Sequence, residues 1–312
     1  MPNDLFAYIA HRVLAAIPIL IGVTLLTYIL VEGTADPEKL LQGQRSDQAS
    51  LEAIREKFGF NEPHWKRYLS FVTGAIQGDL GRSLAFNFDV AEEIKNRFPA
   101  TALLAVTALL IAVFVGVSLG IFSALYQSRW QDGLAGVVAL IGISFPIFAL
   151  AVFLQLIFCV LLPWLPVTGY VEERGWVALI LPAAALGTRP MAEITRLMRS
   201  SMVETMRSQY ITTARAKGLS RFQVLVKHTL RNAANPVLTA IAGSLAELMA
   251  GTFFIEIIFN WPGIGKLGFD AVTRSDPFLL EGTVLVAAVL FIIANLITDI
   301  LYSLVDPRVR LK

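Results

Sequence analysis

The amino-acid sequence predicts an all-α integral membrane protein with six transmembrane helices. Of its 312 residues, 55% are hydrophobic and only 16% are charged, whereas about a quarter of the residues in an average soluble protein are charged. Several apolar segments reach the length of about 20 residues that a helix needs to cross the hydrocarbon core of a bilayer. The basic residues concentrate in segments that one topology places on the same side of the membrane.

Five segments are apolar enough to be predicted as membrane spans on hydropathy alone. They are residues 13–31, 100–126, 133–162, 236–259 and 283–304. The third belongs to a longer charge-free run that reaches residue 170. Pro163 and Pro166 predict that its helix ends near Leu162, because proline cannot continue the helical hydrogen-bond ladder.

A sixth span over residues 176–197 is a weaker candidate, because it contains Arg189, Pro190 and Glu193. The positions of Lys and Arg favour it. With six spans and an internal N-terminus, the internal segments hold 13 basic residues when Arg196, at the inner end of its span, is included, and the two short external loops hold three, in agreement with the positive-inside rule. With only five spans, the basic loop that follows residue 197 would lie outside. We therefore predict six spans with both termini in the cytoplasm.

The remaining termini and long connections are assigned from this topology. They are residues 1–12 (inside), 32–98 (outside), 198–235 (inside), 260–282 (outside) and 305–312 (inside). Amphipathic stripes at 51–58 and 65–72 predict two short helices in the first external loop. These helices either cap the spans or form a binding site of their own, and we favour the cap.

An alternative for the first apolar run is a signal peptide cleaved near Gly33-Thr34-Ala35. The run is longer than the usual apolar core of about 7–15 residues, and further spans follow it. We therefore interpret it as the first span.

The chain offers few side chains for covalent or redox chemistry. Its net charge of +2 gives no electrostatic reason to expect a nucleic-acid partner. A single cysteine, Cys159, excludes a disulfide framework, and no histidine lies within a predicted span. Residues 263–266 lack the leading glycine and the Ser or Thr of a phosphate-binding loop. We predict no enzymatic activity, no metal site and no bound cofactor.

The internal loop at residues 198–235 carries the most distinctive local pattern. Residues 204–217 predict a helix that ends at Gly218, and Ser220 with Gln223 forms a capping box that begins the next helix. One apolar face is predicted on that helix by Phe222, Leu225, Val226, Thr229 and Leu230. An anchor on anionic lipid would need the positive charge but neither the caps nor the apolar face. We therefore predict a helical elbow that docks into a cytoplasmic partner.

The same loop carries a family resemblance. Residues 210–220 read YITTARAKGLS and residues 228–236 read HTLRNAANP. This sequence resembles the EAA loop of ABC-importer permeases, E-A-A-x3-G-x9-I-x-L-P, in the dipeptide, oligopeptide and nickel branch. Ala214, Gly218 and Leu230 match the general motif, and the departures from it resemble the T-A-R-A-K-G form of this branch.

Shorter motifs extend the resemblance over nearly the whole chain. In order they are DP at 36–37, GDLGRS at 78–83, ISFP at 143–146, IFNWPGIG at 258–265 and DPR at 306–308. Each motif is weak alone, but their order and spacing together are specific.

The resemblance implies the type I ABC-importer permease fold, in the lipid of a bacterial inner membrane. It implies that the chain forms half of a translocation pathway with a second homologous permease. Two ATPase subunits, which use ATP and Mg²⁺, and a periplasmic substrate-binding protein would complete the transporter. The expected solute is a di- or oligopeptide. Alternatives are nickel or another small solute, and an ion-coupled secondary transporter in which Glu247 and Asp299 carry protons or sodium.

The resemblance also implies which residues couple the chain to an ATPase subunit. They are Tyr210, Thr213, Ala214, Arg215, Ala216, Lys217, Gly218 and Leu219. Glycine at position 218 is independently expected, because a left-handed helix C-cap favours glycine.

Charged residues at membrane depth predict a separate substrate pathway. Glu247 is the main candidate, together with Gly251 and Ser144. Glu247 either faces the pore, where it suits a cationic group (a peptide amino terminus or a metal ion), or is paired internally. Arg189 and Glu193 are spaced i, i+4 and are expected to neutralise each other.

A second, weaker candidate site lies at the outer end of the fifth predicted span. Glu256 precedes the turn formed by Trp261, Pro262 and Gly263. We expect these residues to shape an outer gate or a surface on which the binding protein docks.

Overall fold

The regular structure of residues 2–34 and 61–305, the part of the chain that the computed structural model describes, is helical. In chain order the helices are α1 (Pro2–Thr34), α2 (His64–Ile76), α3 (Val90–Leu125), α4 (Trp130–Ser144), α5 (Ile147–Leu161), α6 (Val171–Arg174), α7 (Val177–Met206), α8 (Gln209–Ala216), α9 (Arg221–Ile258), α10 (Ile264–Thr273) and α11 (Pro277–Val305). The helix predicted at 51–58, the motifs at 36–37 and 306–308, and the basic tail lie outside the described residues.

Within the described residues, five helices are long and apolar enough to cross a membrane, namely α1, α3, α7, α9 and α11. The span predicted over residues 133–162 is not one continuous helix. Its two parts, α4 and α5, are bent by 113° relative to each other. Pro146 explains the break, because it lacks an N–H donor and holds Phe145 in an extended conformation. The predicted end near Leu162 is confirmed, since the last helical residue is Leu161.

Several helices run beyond the spans predicted from hydropathy. The span predicted to begin at residue 100 starts at Val90, and the one predicted to begin at residue 236 starts at Arg221. Hydropathy identifies only the apolar part of a helix, whereas the backbone ladder continues through polar residues until a cap or a proline stops it. The external loop predicted over residues 260–282 likewise contains a complete helix, α10.

The chain forms two compact units, and the first comprises residues 102–261 with parts of both terminal helices. Its core is a seam between α3 and α7 where glycines allow close approach. A Cβ atom added at Gly120 would lie 2.6 Å from the Cβ of Met198, and one added at Gly187 would lie 2.6 Å from the carbonyl oxygen of Ala108. Buried Ile194 and Met202 continue the seam. Small residues of this kind let helices pack closely where lipid provides no hydrophobic driving force.

The second unit comprises residues 6–101 and 262–292. Asp276 organises it: one carboxylate oxygen accepts from the Ser83 hydroxyl at 2.6 Å, and the other caps α11 by accepting from the Leu279 N–H at 3.1 Å. Pro277 occupies the first helical position, where its missing N–H is not needed. The predicted helix around residues 65–72 is confirmed as α2, which holds α1 through a 2.9 Å hydrogen bond from the Tyr28 hydroxyl to the His64 carbonyl.

Candidate functional site

The loop between α7 and α9 folds as the predicted elbow, with one difference at its start. The helix predicted over 204–217 is divided, because α7 ends at Met206 and Ser208 adopts an extended backbone before α8 begins. The Ser208 hydroxyl donates to the Thr205 carbonyl at 2.6 Å. This side-chain bond to the helix end offers the backbone an alternative to continued helix, as serine commonly does at boundaries.

The turn of the elbow has the geometry that its sequence predicts. Gly218 has φ +82°, in the left-handed region that favours glycine. The Gln223 N–H donates to the Ser220 hydroxyl at 3.3 Å, while the Ser220 N–H donates to the Gln223 side-chain oxygen at 3.1 Å. Both halves of the capping box therefore form, and they fix the direction in which α9 leaves the turn.

One face of the elbow is buried against the elbow itself. Ile211, Ala214 and Val224 form a small apolar cluster in which α8 packs on the start of α9. The Thr229 hydroxyl accompanies it by donating to the Val224 carbonyl at 3.2 Å, within a π-helical segment of α9. Among the residues predicted for coupling, Ala214 therefore supports the elbow from inside.

The opposite face of the elbow is exposed and partly apolar. The exposed fraction is 44% for Tyr210, 37% for Leu219 and 73% for Phe222. The other residues predicted for coupling are exposed as well, namely Thr213, Arg215, Ala216, Lys217 and Gly218. The single apolar face predicted for the second helix thus divides in two, with Phe222 and Val226 exposed and Thr229 buried.

An ion pair that the sequence analysis missed fixes α7 close to the elbow. The Arg199 guanidinium donates to both carboxylate oxygens of Asp132, at 2.6 and 2.7 Å. The Ser123 hydroxyl and the Ser128 N–H donate to the same carboxylate at 2.6 and 3.0 Å. A bidentate guanidinium–carboxylate contact has defined geometry as well as charge, so the α3–α4 turn is tied to α7.

A cavity of about 420 Å³ lies among α4, α5, α7 and α9. It brings together the three residues predicted for the substrate pathway, since Ser144, Glu247 and Gly251 all line it. The break between α4 and α5 contributes Phe145 and Pro146 to the lining. The bend at Pro146, which hydropathy did not predict, therefore supplies part of the cavity wall.

Glu247 lines this cavity and is also paired. Its Oε1 atom lies 2.8 Å from the Nε atom of Arg189, which lies 3.8 Å from Oε1 of Glu193. Glu247 is therefore paired internally, as one alternative predicted, and it also lines a cavity. That this cavity belongs to the pore stays a prediction. The predicted pair between Arg189 and Glu193 forms at 3.8 Å, but α7 and α9 pack so that Glu247 is the nearer carboxylate.

The residues predicted as an outer gate or docking surface have a different environment. Glu256 and Trp261 are each 0% exposed. The Trp261 N–H donates to the Glu256 carbonyl at 2.8 Å, and its ring meets that of Tyr170 edge-on with centroids 4.8 Å apart. Gly263 is buried as the N-cap of α10, and Pro262 is half-buried. In this conformation the Glu256 and Trp261 side chains offer no surface to a docked protein.

Comparison with known proteins identifies the family. Residues 116–311 match the family described as binding-protein-dependent transport system inner membrane component, and residues 5–105 match the N-terminal region of such proteins. The chain belongs to this permease family. The resemblance inferred from the elbow and the shorter motifs is confirmed, as are the interpretation of the chain as a transport component and its location in an inner membrane.

Full-length relatives agree with this assignment. The permease is 38% identical to the dipeptide transport system permease protein DppB of Alkalihalophilus pseudofirmus, over 98% of this chain and 100% of that protein. It is 37% identical to the glutathione transport system permease protein GsiC of Shigella flexneri and of Escherichia coli K12, over 98% of this chain and 99% of those proteins.

A solved structure supports the fold. The permease matches a crystal structure of an amino acid ABC transporter with histidines, with a TM-score of 0.52 and 14% identity, over 70% of this chain and 94% of that chain. The all-helical ABC-importer permease fold is thereby confirmed.

Sequence reasoning missed three features of the permease's sites. Thr188 lines the cavity, Arg189 joins Glu247, and Asp132 joins Arg199. A charged residue within a span is a signal that can be read from sequence, and it marks Arg189. The identity of its partner cannot be read in the same way, because that depends on which helices pack side by side.

Proposed function

We propose that the permease forms half of the translocation pathway for di- or oligopeptides in an ATP-driven importer. The observation that carries the proposal is the full-length identity to permeases named for dipeptide and glutathione transport. Both solutes are short peptides. A binding-protein-dependent system implies a substrate-binding protein that delivers the peptide and ATPase subunits that drive its release. A second homologous permease completes the pathway.

The elbow is the proposed contact with an ATPase subunit. Its outer face presents Tyr210, Leu219 and Phe222 together with the basic residues Arg215 and Lys217. An exposed apolar group with a charged rim is the usual composition of a protein–protein contact. The buried cluster and the capping box make the elbow a stiff unit, so movement of the ATPase subunits would be passed to α7 and α9 and not absorbed by the loop.

The cavity is the proposed section of the peptide pathway within this chain. Its volume of about 420 Å³ falls within the range of about 300–1,000 Å³ typical of small-molecule sites. Phe145 and Phe254 supply apolar walls, while Ser144, Thr188 and Glu247 supply polar groups. This mixture suits a peptide, which carries a polar backbone and side chains of either kind.

The proposal is tested by uptake in a bacterial strain that lacks only this chain. Uptake of a labelled dipeptide, of labelled glutathione and of nickel is compared with and without a plasmid that restores the permease. We expect the deletion to abolish uptake of one or both peptides and the plasmid to restore it.

Vesicles separate ATP-driven import from ion-coupled import. Inverted membrane vesicles are unsuitable because the binding protein acts on the opposite face, so right-side-out vesicles with added binding protein are used. Peptide uptake should require ATP inside the vesicle and should persist when ionophores collapse the ion gradients. Loss of nickel uptake alone in the deletion strain would contradict the peptide proposal, and uptake that needs only an ion gradient would contradict ATP coupling.

A further inference from the structure

The cavity contains a charge arrangement that a merely structural ion pair does not need. One guanidinium, Arg189, serves two carboxylates, with its Nε atom 2.8 Å from Glu247 and 3.8 Å from Glu193. The group therefore has one carboxylate in excess. The contact with Glu247 is made by Nε, and a guanidinium also carries two terminal nitrogens that can donate to a carboxylate.

Comparison with another long-range ion pair of the same unit shows what is different. In the Asp132–Arg199 pair, the Asp132 side chain is only 10% exposed, and both carboxylate oxygens accept from the guanidinium. In the cavity, Arg189 is 59% exposed and Glu247 is 40% exposed. The carboxylate of the first pair is nearly enclosed, although Arg199 is 37% exposed, whereas both members of the second pair line the cavity and can be reached from it.

We propose that Arg189 and Glu247 form an exchange site for the two charged ends of a short peptide. This inference rests on the proposed function and adds the groups that recognise the solute. The peptide carboxylate takes the guanidinium of Arg189, while the peptide ammonium takes Glu247, with Glu193 adding negative charge nearby. When the peptide leaves, Arg189 and Glu247 pair again.

Pairing at every stage is the physical advantage of such an exchange. A charge left unpaired in a poorly solvated site is costly, and breaking one partner of a pair exposes that full cost. A bound zwitterionic peptide replaces the Arg189–Glu247 pair by two pairs, one at each end of the peptide, so each charge keeps a partner. A peptide blocked at its carboxyl end leaves Arg189 without a new partner, and one blocked at its amino end does the same to Glu247.

The test uses the complete transporter in membrane vesicles, with its binding protein and ATPase subunits. The probes are three forms of one labelled dipeptide: unmodified, C-terminally amidated and N-acetylated. Each is supplied at a concentration that saturates the binding protein, and the rate ratio of unmodified to blocked peptide is measured for each variant. Because the binding protein is the same throughout, a change in the ratio between variants belongs to the permease. The amount of permease in the membrane cancels in the ratio.

Three variants make the expected pattern specific. Arg189→Gln should lower the ratio of unmodified to amidated peptide by about tenfold, equivalent to about 1.4 kcal/mol, and should change the acetyl ratio less. Glu247→Gln should do the converse. The double variant Arg189→Gln/Glu247→Gln removes both charges together, so neither is left behind without its partner. It should lower both ratios.

A matched control is available in the second unit. Asp270→Asn removes the carboxylate of a partly exposed ion pair with Lys266, 3.3 Å away, outside the cavity, and should leave both ratios unchanged. If the double variant keeps both wild-type ratios while it imports unmodified peptide, the exchange site is overturned and the proposed function stands. If the wild-type transporter hydrolyses ATP with the loaded binding protein but imports none of the three forms, the exchange site and the proposed peptide transport are both overturned.

Discussion

The elbow and the cavity are built in opposite ways from the same chain. The elbow consists of residues 208–230, and its caps and apolar cluster join positions close together in the sequence. The cavity takes Ser144, Arg189 and Glu247 from three helices far apart in the sequence. A substitution in the elbow can therefore alter coupling while the spans keep their packing, whereas the shape of the cavity depends on how the helices of its unit pack.

Helix α7 connects these two regions within one unit. Arg189 faces the cavity, and Arg199, further along the same helix, is tied to Asp132. The glycine seam with α3 holds the helix closely along its length. A closely packed interior transmits displacement because it is hard to compress, so the proposed coupling would use α7 as its route from the elbow to the cavity.

The largest effect is expected at Gly218, where a substitution disturbs the elbow and leaves the cavity intact. Gly218→Trp should abolish peptide uptake and transport-coupled ATP hydrolysis while the chain still inserts. A left-handed backbone costs a non-glycine residue about 1–2 kcal/mol, and the indole would occupy the proposed docking face.

Two further variants separate strain from docking at this position. Gly218→Ala has the same backbone strain without the bulk and should retain part of the activity. Gly78→Trp is matched in geometry, since Gly78 has φ +85° and no atom within 4 Å of an added Cβ, and like Gly218 it directly follows a helix C-cap. It lies outside the elbow and should transport normally. Normal uptake by Gly218→Trp would remove the coupling assignment.

The second effect concerns the anchor between the α3–α4 turn and α7. Asp132→Asn removes the charge that pairs with Arg199, and loss of a charge-assisted contact should lower the free energy of unfolding by about 2 kcal/mol. The melting temperature of the purified transporter in detergent measures this change. Glu93→Gln is the control, because Glu93 pairs with Arg97 at 2.6 Å within a single helix and such pairs contribute about 0.3–0.5 kcal/mol. Equal shifts for the two variants would show that the anchor has no special role.

The third effect tests the cavity alone. Gly251→Leu should slow peptide uptake by about tenfold, equivalent to about 1.4 kcal/mol, without reducing the amount of permease in the membrane. The nearest atom to an added Cβ is the flexible Leu186 Cδ1 at 3.0 Å, so the new side chain can be accommodated while it fills space for the solute. Gly136→Leu, where no atom lies within 4 Å of an added Cβ, should transport at the wild-type rate. If the two variants behave alike, the cavity is not on the pathway.

The smallest effect concerns the capping box. Ser220→Ala should destabilise the elbow by about 1 kcal/mol, the usual cost of losing an N-cap hydroxyl, and should reduce uptake modestly. Hydrogen exchange of the amides at residues 220–224 measures the local change. Ser220→Asp keeps a side-chain acceptor for the Gln223 N–H and should restore protection. If exchange in Ser220→Ala matches the wild type, the cap does not stabilise the turn.

What could be predicted from sequence follows from the same comparison. Gly218, Ser220 and Gln223 were assigned correctly because caps depend on residue types within a few positions of one another. The break at Pro146 was missed, although the residue type allows it, because the charge-free run around it gave no boundary signal. Glu256 and Trp261 were expected to shape an outer gate or a docking surface, and their complete burial was not predicted, because packing determines it and sequence spacing does not record it.

By itself, the sequence determined that this chain is a helical permease with several membrane spans and an elbow of defined caps, because hydropathy and capping both act along the chain. The tertiary structure alone decided the partners of the charged side chains. Arg189 has Glu193 one helical turn away, yet α9 brings Glu247 to 2.8 Å. Helix spacing fixes neighbours on one helix, but only the packing of separate helices decides which charges face each other across a cavity.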